Sequence, residues 1–462
     1  MANIRIGYLP LYIKLYDDSH PETRRPMEDY MHTLVGMLTS QGLEVVQAPV
    51  CRLKEEFDRA AETFIEQDVA AVITQHLAYS PSLESIDALQ KAGVPVIVLD
   101  TTPDYSLREK AGYYDGIMPN HGIHGVQDMC NLLRRRGVEY YLCAGHALHS
   151  EVISQVAGLC RAAAAARAYR RARVGSVGGS FTGMGDFLVT DEEYKDKIGA
   201  QVFYMGRSEV DTYLSQVTDR EIEEDMAFDA SAFTMEVTDQ AAYREAVRSG
   251  LAVRKWAQAN RLTALTVNFL TLDICGLPKM PFAECCKATA RGMGYAGEGD
   301  VLTAGLVGAL RSVYPDTTFT EMFCPDWKEN LILLSHMGES NYTLSKWKPV
   351  MSTVPFNYNS CGDTAAPFVC FRPGQAVFVN VAPSRDGFSL AASEVELLDA
   401  GLEYGAYRYT NQGWMKPARP LPEFLKAFSE VGGTHHSALV YGADISEILA
   451  FGRMMGFETH RI

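Results

Sequence analysis

The first 171 residues alternate short, apolar, β-rich runs with amphipathic stretches of helical period, and this rhythm restricts the chain more than any other feature. Parallel strands need a crossover connection, so strand-helix-strand alternation implies a parallel sheet covered on both faces. The pattern predicts strands at 5–8, 43–48, 69–74, 94–99 and 140–144, separated by helices at 27–40, 53–67, 83–91 and 122–135. Ligands of such sheets gather at the carboxyl ends of the strands, which marks 9–16, 75–80 and 100–105 as mouth loops.

A strand at 173–177 opens a second α/β segment, which continues through an acidic helical region at 220–225 and a helix at 241–259 to a buried strand at 264–270. Beyond about residue 316 the runs shorten and are broken by Gly, Pro and Asn: 331–335, 368–371, 376–381, 387–392 and 407–409. Such spacing suits an antiparallel sheet or barrel. The expected architecture is α/β, with two Rossmann-like parallel-sheet domains at 1–171 and 172–315 and a β-rich, barrel-like domain at 316–462. A length of 462 residues agrees, since single cores stop growing at roughly 250–300 residues.

Charge removes one class of function. The formal net charge is −15, from 42 basic and 57 acidic side chains, and repels a phosphate backbone, so no nucleic-acid partner is expected. No run approaches the roughly 18 apolar residues of a membrane span, so no membrane partner is expected either. The opening run Met1-Ala2-Asn3-Ile4-Arg5-Ile6-Gly7 enters a strand pattern without the basic start and apolar stretch of a signal peptide. Ten cysteines without a Cys-x-x-Cys pair read as reduced thiols, and the expected location is cytoplasmic.

Four short runs look built to aim a side chain rather than fill a core: Gly297-Glu298-Gly299-Asp300, Phe319-Thr320-Glu321, Ser335-His336-Met337 and Gly432-Gly433-Thr434-His435-His436. Two carboxylates and two imidazoles suit a divalent metal of borderline hardness, manganese rather than zinc because no thiolate takes part. Each residue also has an ordinary account. Glu298 fits a surface turn, Glu321 a solvent-facing strand position, and His336 a core imidazole bonded to a carbonyl. Strand alternation lets one of the two adjacent histidines reach a given metal; the reading favours His436 and leaves His435 outside the ligand set. His121, His124, His146 and His149, spaced in pairs by three, read as helix-cap or surface residues. The glycine-rich loop 178–185 matches no dinucleotide fingerprint and could line a ligand cavity.

Taken in order, the four runs resemble the L-arabinose isomerase and L-fucose isomerase superfamily, specifically its arabinose isomerase branch in divergent form. Asn120 and Gly125 fall in a segment like the family's Asn-x-x-x-x-Gly region, and 184–190 resembles its loop ending in Val-Thr. The resemblance implies a manganese-dependent aldose–ketose isomerase of three domains, cytoplasmic, assembled as a homo-oligomer, commonly a hexamer, and acting on a small-molecule sugar. Carried over by position, Glu298, Glu321, His336 and His436 would hold the metal, and both glutamates would move protons through an enediol. His76, in Gln75-His76-Leu77-Ala78-Tyr79-Ser80-Pro81, matches a Leu-His-Thr-Phe-Ser-Pro run at the family's substrate mouth, and Met184 would also meet substrate.

Two departures bear on which sugar is taken. Residues 11–17 read Leu-Tyr-Ile-Lys-Leu-Tyr-Asp where the family carries Gly-Ser-Gln-His-Leu-Tyr-Gly. Asp100-Thr101-Thr102 stand where it carries a Gln facing sugar hydroxyls. A site built to bond particular hydroxyls rejects analogues by large factors, so these changes weigh against assuming L-arabinose itself, and the expected substrate class is a pentose or a 6-deoxyhexose. The alternatives are a metal-dependent sugar epimerase or lyase, which share enediolate chemistry, and a non-catalytic sugar-binding protein, since 69–74 and 83–100 also resemble the first lobe of sugar receptors.

Overall fold

The computed structural model describes residues 4–110, 112, 116–399 and 409–462, which divide into two compact units, Ala2–Ala164 and Ala165–Ile462. In the first unit five strands, β1 (Ile4–Leu11), β2 (Leu43–Gln47), β3 (Val72–His76), β4 (Val96–Asp100) and β5 (Tyr140–Ala144), pair in parallel in the order β2-β1-β3-β4-β5. Val96, Ile97, Val98 and Leu99 of β4 are all buried, so both faces of the sheet are covered. The helix Lys54–Glu66 shows why the segments between strands are helical: it buries Phe57, Ala60, Ala61 and Phe64 along one stripe and leaves its acids outside.

The second unit begins with a four-stranded parallel sheet, built from β6 (Arg173–Val177), β7 (Gln201–Met205), β9 (Ala264–Val267) and β10 (Gly294–Gly297) in the order β10-β9-β6-β7. The strand expected over 264–270 stops at Val267, because the Asn268 side chain accepts from Leu270 N at 3.1 Å and winds Phe269–Thr271 into a 3-10 turn. Six strands then close an antiparallel barrel: β11 (Thr317–Asp326), β12 (Leu331–Ser335), β15 (Gly374–Pro383), β16 (Phe388–Leu397), β17 (Gly413–Pro417) and β18 (His436–Tyr441). The ring runs β15-β18-β11-β12-β17-β16 and returns to β15, while β19 (Glu458–Arg461) adds in parallel to β16. Closure leaves the six barrel strands without a free edge. β8 (Thr234–Glu236), β13 (Val350–Val354) and β14 (Thr364–Phe368) form a separate three-stranded sheet.

The chain thus holds two parallel-sheet α/β folds and a C-terminal six-stranded antiparallel barrel. Of the strand expected at 407–409, residues 407 and 408 lie outside the described residues. All ten cysteines are free, and among the described residues no helix is long and apolar enough to cross a membrane.

One close approach places the turn after β10. A Cβ on Gly294 would sit 2.1 Å from the Ala304 carbonyl oxygen and 2.4 Å from Gly308 N, so the strand lies directly against the helix Val301–Arg311. Gly294→Ala is expected to push that helix off the sheet and to cost about 1–3 kcal/mol, as overpacked cores do. Urea denaturation measures it, and an unchanged midpoint would show that the contact is looser than drawn here.

Candidate metal centre

Barrel register gathers one side of the site. β11 and β18 pair so that Glu321 faces His436, and β11 and β12 pair Glu321 with Ser335, the residue before His336. Directly opposed residues in an antiparallel pair put their side chains on one face, so three segments distant in sequence converge.

The parallel sheet supplies the other side. Glu298 follows β10 in a turn where it takes φ 62° and Gly299 takes φ 81°, with Glu298 N donating to Val267 O at 3.0 Å and its carbonyl accepting from Phe181 N at 3.0 Å. Gly299 has to be glycine, since a Cβ there would lie 2.1 Å from Gly179 O. A Cβ on Gly297 would likewise come within 2.8 Å of His336 Cε1.

The four expected residues fall into two overlapping groups that share His436, namely Glu298, His435, His436 and Glu321, His336, His436, each with donor atoms within 4.8 Å of one another. Glu298 Oε2 is 3.5 Å from Nε2 of both His435 and His436. Strand alternation does not separate the two histidines, because β18 begins at His436 and His435 precedes it. Asp186 turns the His435 ring inward, with Oδ2 2.6 Å from Nδ1.

His436 is wholly buried, and its Nδ1 lies 3.0 Å from Oδ2 of the equally buried Asp300. Asp300 Oδ1 in turn accepts from Thr303 N at 2.8 Å, capping the helix Val301–Arg311. The bond to Nδ1 aims Nε2 into the cluster, where it has no hydrogen-bond partner. Phe187 stacks on the His436 ring at 5.2 Å, and Phe319 stands edge-on to it at 4.9 Å. His336 Nδ1 is 2.6 Å from Glu339 Oε2, outside hydrogen-bond alignment, and Tyr295 donates to the other Glu339 oxygen.

Proton affinities follow from these contacts. Burial opposes charge on His436, but Asp300 and Glu298 outweigh it and raise its pKa to about 9. Burial works against the charged form of Glu298 too, yet His435 and His436 hold its pKa below the usual carboxylate value. Glu321 moves the other way, raised by burial despite the pull of His336 and His436. Carboxylate oxygens and imidazole nitrogens at this spacing, with a buried Nε2 lacking a partner, form a set that can hold a divalent cation.

A cavity of about 190 Å³ is lined by Glu298, Glu321, His336 and Glu339 together with Met337 and five aromatic rings. It is smaller than the roughly 300–1,000 Å³ of drug-sized sites, which suits a small molecule. Met184 is not among its lining residues; its neighbours Asp186 and Phe187 reach the histidines instead. His76 lies in the first unit at the end of β3, buried, with neither ring nitrogen hydrogen-bonded and its pKa lowered by burial to about 3. A larger cavity of about 440 Å³ is lined by Asp225, Arg254, Lys287 and Arg291, whose charges are neutralised within the chain, so it offers no comparable donor set.

Asp186, Phe187, Asp300 and Glu339 complete the centre without having been singled out from the sequence. Asp300 carried a signal, as an Asp immediately before an apolar helical run, and so did Glu339, three residues after His336. Asp186 carried none, since 249 residues separate it from His435.

Two α/β sheets and a closed barrel, with a carboxylate–imidazole cluster that could hold a cation where sheet and barrel meet, define the class of scaffold. Residues 184–314 match the family model for the L-arabinose isomerase central domain and 316–458 that for the L-arabinose isomerase C-terminal domain, together more than half of the chain. The L-arabinose isomerase of Aeromonas salmonicida (strain A449) is 24% identical over 456 residues, covering 94% of this chain and 90% of the relative. That of Geobacillus stearothermophilus is 25% identical over 460 residues, covering 95% and 90%. Among solved structures, a periplasmic solute binding protein from Actinobacillus succinogenes 130z with bound D-allose overlaps 67% of this chain and 91% of its own at 13% identity and TM-score 0.18, too low to bear on the fold. The chain belongs to the L-arabinose isomerase family, as a distant member.

The His436 shift sets a pH dependence for the metal-free protein. A pKa raised from 6.5 to about 9 contributes stability that is complete below pH 6.5 and is lost as pH rises towards 9. A cation replaces that proton and loses nothing over this range. Stabilisation by added Mn2+, read as the rise in Tm over EDTA-treated protein, is therefore expected to be larger at pH 9 than at pH 6.5; an equal rise at both would separate cation binding from this imidazole.

Proposed function

We propose that this protein is a metal-dependent aldose–ketose isomerase acting on an uncharged pentose or 6-deoxyhexose through an enediol, with Mn2+ as its metal. One observation carries the reading: Glu298, Glu321 and His336 line one small cavity, with the buried His436 clustered behind them, in a chain of the L-arabinose isomerase family. Glu298, Glu321, His336 and His436 are the ligands in this reading, with His435 beside them. When bound, a divalent cation supplies positive charge to the carbonyl and neighbouring hydroxyl oxygens of an open-chain sugar.

The chain's own groups do the remaining work. One glutamate takes the proton from the carbon beside the carbonyl while the other supplies a proton to the carbonyl oxygen, giving the enediol. In the second half the carbon proton returns to the neighbouring carbon and the hydroxyl proton leaves its oxygen, so acid and base are restored. Asp300 holds His436 in one tautomer, and Asp186 holds His435, so neither ring has to reorient during turnover. The rings of Phe187 and Phe319 shut water away from the His436 side of the centre. The same resemblance supports a homo-oligomer, commonly a hexamer, and a cytoplasmic location; sedimentation at sixfold the chain mass is the expected result for assembly.

The deciding experiment incubates Mn2+-loaded protein with a panel of pentoses and 6-deoxyhexoses and scores ketose formation. At least one ketose is expected, and loss of that product with EDTA. Exclusive formation of C2 epimers would move the assignment to an epimerase. Glu298→Gln and Glu321→Gln are each expected to keep the fold by circular dichroism and to lower kcat/KM about 10²–10⁴-fold, the usual contribution of a positioned acid or base. Parent-level turnover by either variant would remove that glutamate from the chemistry.

A further inference from the structure

Apart from the ligand cluster, the cavity wall is almost entirely hydrocarbon. Phe269, Phe282, Phe323, Phe356 and Tyr358 line it with Met337; beyond the ligands, the polar side chains of that lining are Tyr358 and Glu339, whose two oxygens face Tyr295 and His336. The rings come from three places: the turn and helix after β9, the β11 strand, and the loop between β13 and β14. Phe269, Phe282, Phe356 and Tyr358 form a connected edge-to-face set, with centroids 6.0 Å apart for Phe269–Phe356, 5.4 Å for Phe269–Tyr358, 5.6 Å for Phe282–Phe356 and 5.1 Å for Phe356–Tyr358. Such pairs hold one another in place. The 355–363 loop is also tied to the segment after β9: Asn359 donates to the Phe269 carbonyl, and Ser360 donates to Asp273 at 2.6 Å. Phe323 sits in a β-bulge between Met322 and Cys324, the device that redirects a side chain next to a site.

Among the described residues no lysine or arginine lines this cavity, so a phosphate or sulfonate on the substrate would meet no counter-charge from them. A terminal hydroxyl laid against these rings would exchange water partners for at most the Tyr358 hydroxyl, whereas a methyl group would fill the same space favourably.

Building on the isomerase reading, we infer that this ring wall determines specificity and selects an uncharged sugar whose carbon chain ends in a methyl group, over the same sugar ending in a hydroxymethyl or a charged group. Binding tests this without requiring turnover. Calorimetry on Mn2+-loaded full-length protein would compare two matched pairs of unreactive polyols, L-fucitol with galactitol and L-rhamnitol with L-mannitol. The deoxy member of at least one pair is expected to bind about 10–100-fold more tightly, the range over which one group in an apolar pocket discriminates. Phe323→Ser, at a position 56% exposed and so not needed for folding, is expected to narrow that ratio. Equal affinities within both pairs, preference for the hydroxylated members, or no binding by any of the four would overturn the inference. Ketose formation from the parent aldoses, followed alongside, reports on the isomerase reading separately.

Discussion

The hydrogen bond between His436 and Asp300 is the joint on which the centre rests. Both side chains are wholly buried, one on a barrel strand and the other at the head of a helix that packs on the parallel sheet. In that low-dielectric setting the bond is strong, and losing either partner would leave a buried polar group unsatisfied. Asp300 can stand there because Gly299, at φ 81°, turns the chain against the backbone of Gly179. A conformational freedom reserved for glycine thus fixes a carboxylate, the carboxylate fixes an imidazole tautomer, and the imidazole presents an unpartnered nitrogen to the ligand cluster.

Much of this was legible in the sequence, for a physical reason. Period-2 and period-3.6 apolar patterns report burial directly, so the five strands of the first sheet and the helices between them could be placed within a few residues. Glycines beside Glu298 and before His435 marked unusual backbone, and His336 stood out at the end of an apolar strand. Long-range partners left no local trace. Asp186 and Phe187 belong to a polar, glycine-rich loop that reads as lining a ligand cavity, but nothing in it points to the two histidines until the barrel is laid beside it. The aromatic wall was hidden for the same reason, since its rings are scattered from Phe269 to Tyr358. Phe269 itself was read as part of a strand because one Asx turn at Asn268 cannot be told from an apolar run by periodicity.

Two buried charge clusters in the second unit show what distinguishes a scaffold from a site. Around Lys287, the carboxylates of Asp225, Asp229 and Glu284 all meet a cation supplied by the chain, from Lys287, Arg254 or Arg291. That set is electrically complete and needs nothing from solution. At the cavity, Glu298 and Glu321 face only imidazoles, whose charge depends on protons. Two carboxylates there are balanced either by protonated rings or by a bound cation, so charge balance is left open to the medium.

Glu298 makes the same point through its backbone. A non-glycine residue at φ 62° carries strain that the flanking glycines would avoid, and its main chain is held there by bonds to Val267 and Phe181. Glycine at 298 would relieve that strain, as it does at Gly299, so conformation alone argues against a side chain at this position. What a side chain adds is a carboxylate 3.5 Å from two imidazole nitrogens and exposed to a cavity otherwise walled by rings. The fold tolerates local instability at a turn where sheet and barrel meet, and the return is negative charge at a point that apolar packing could never supply.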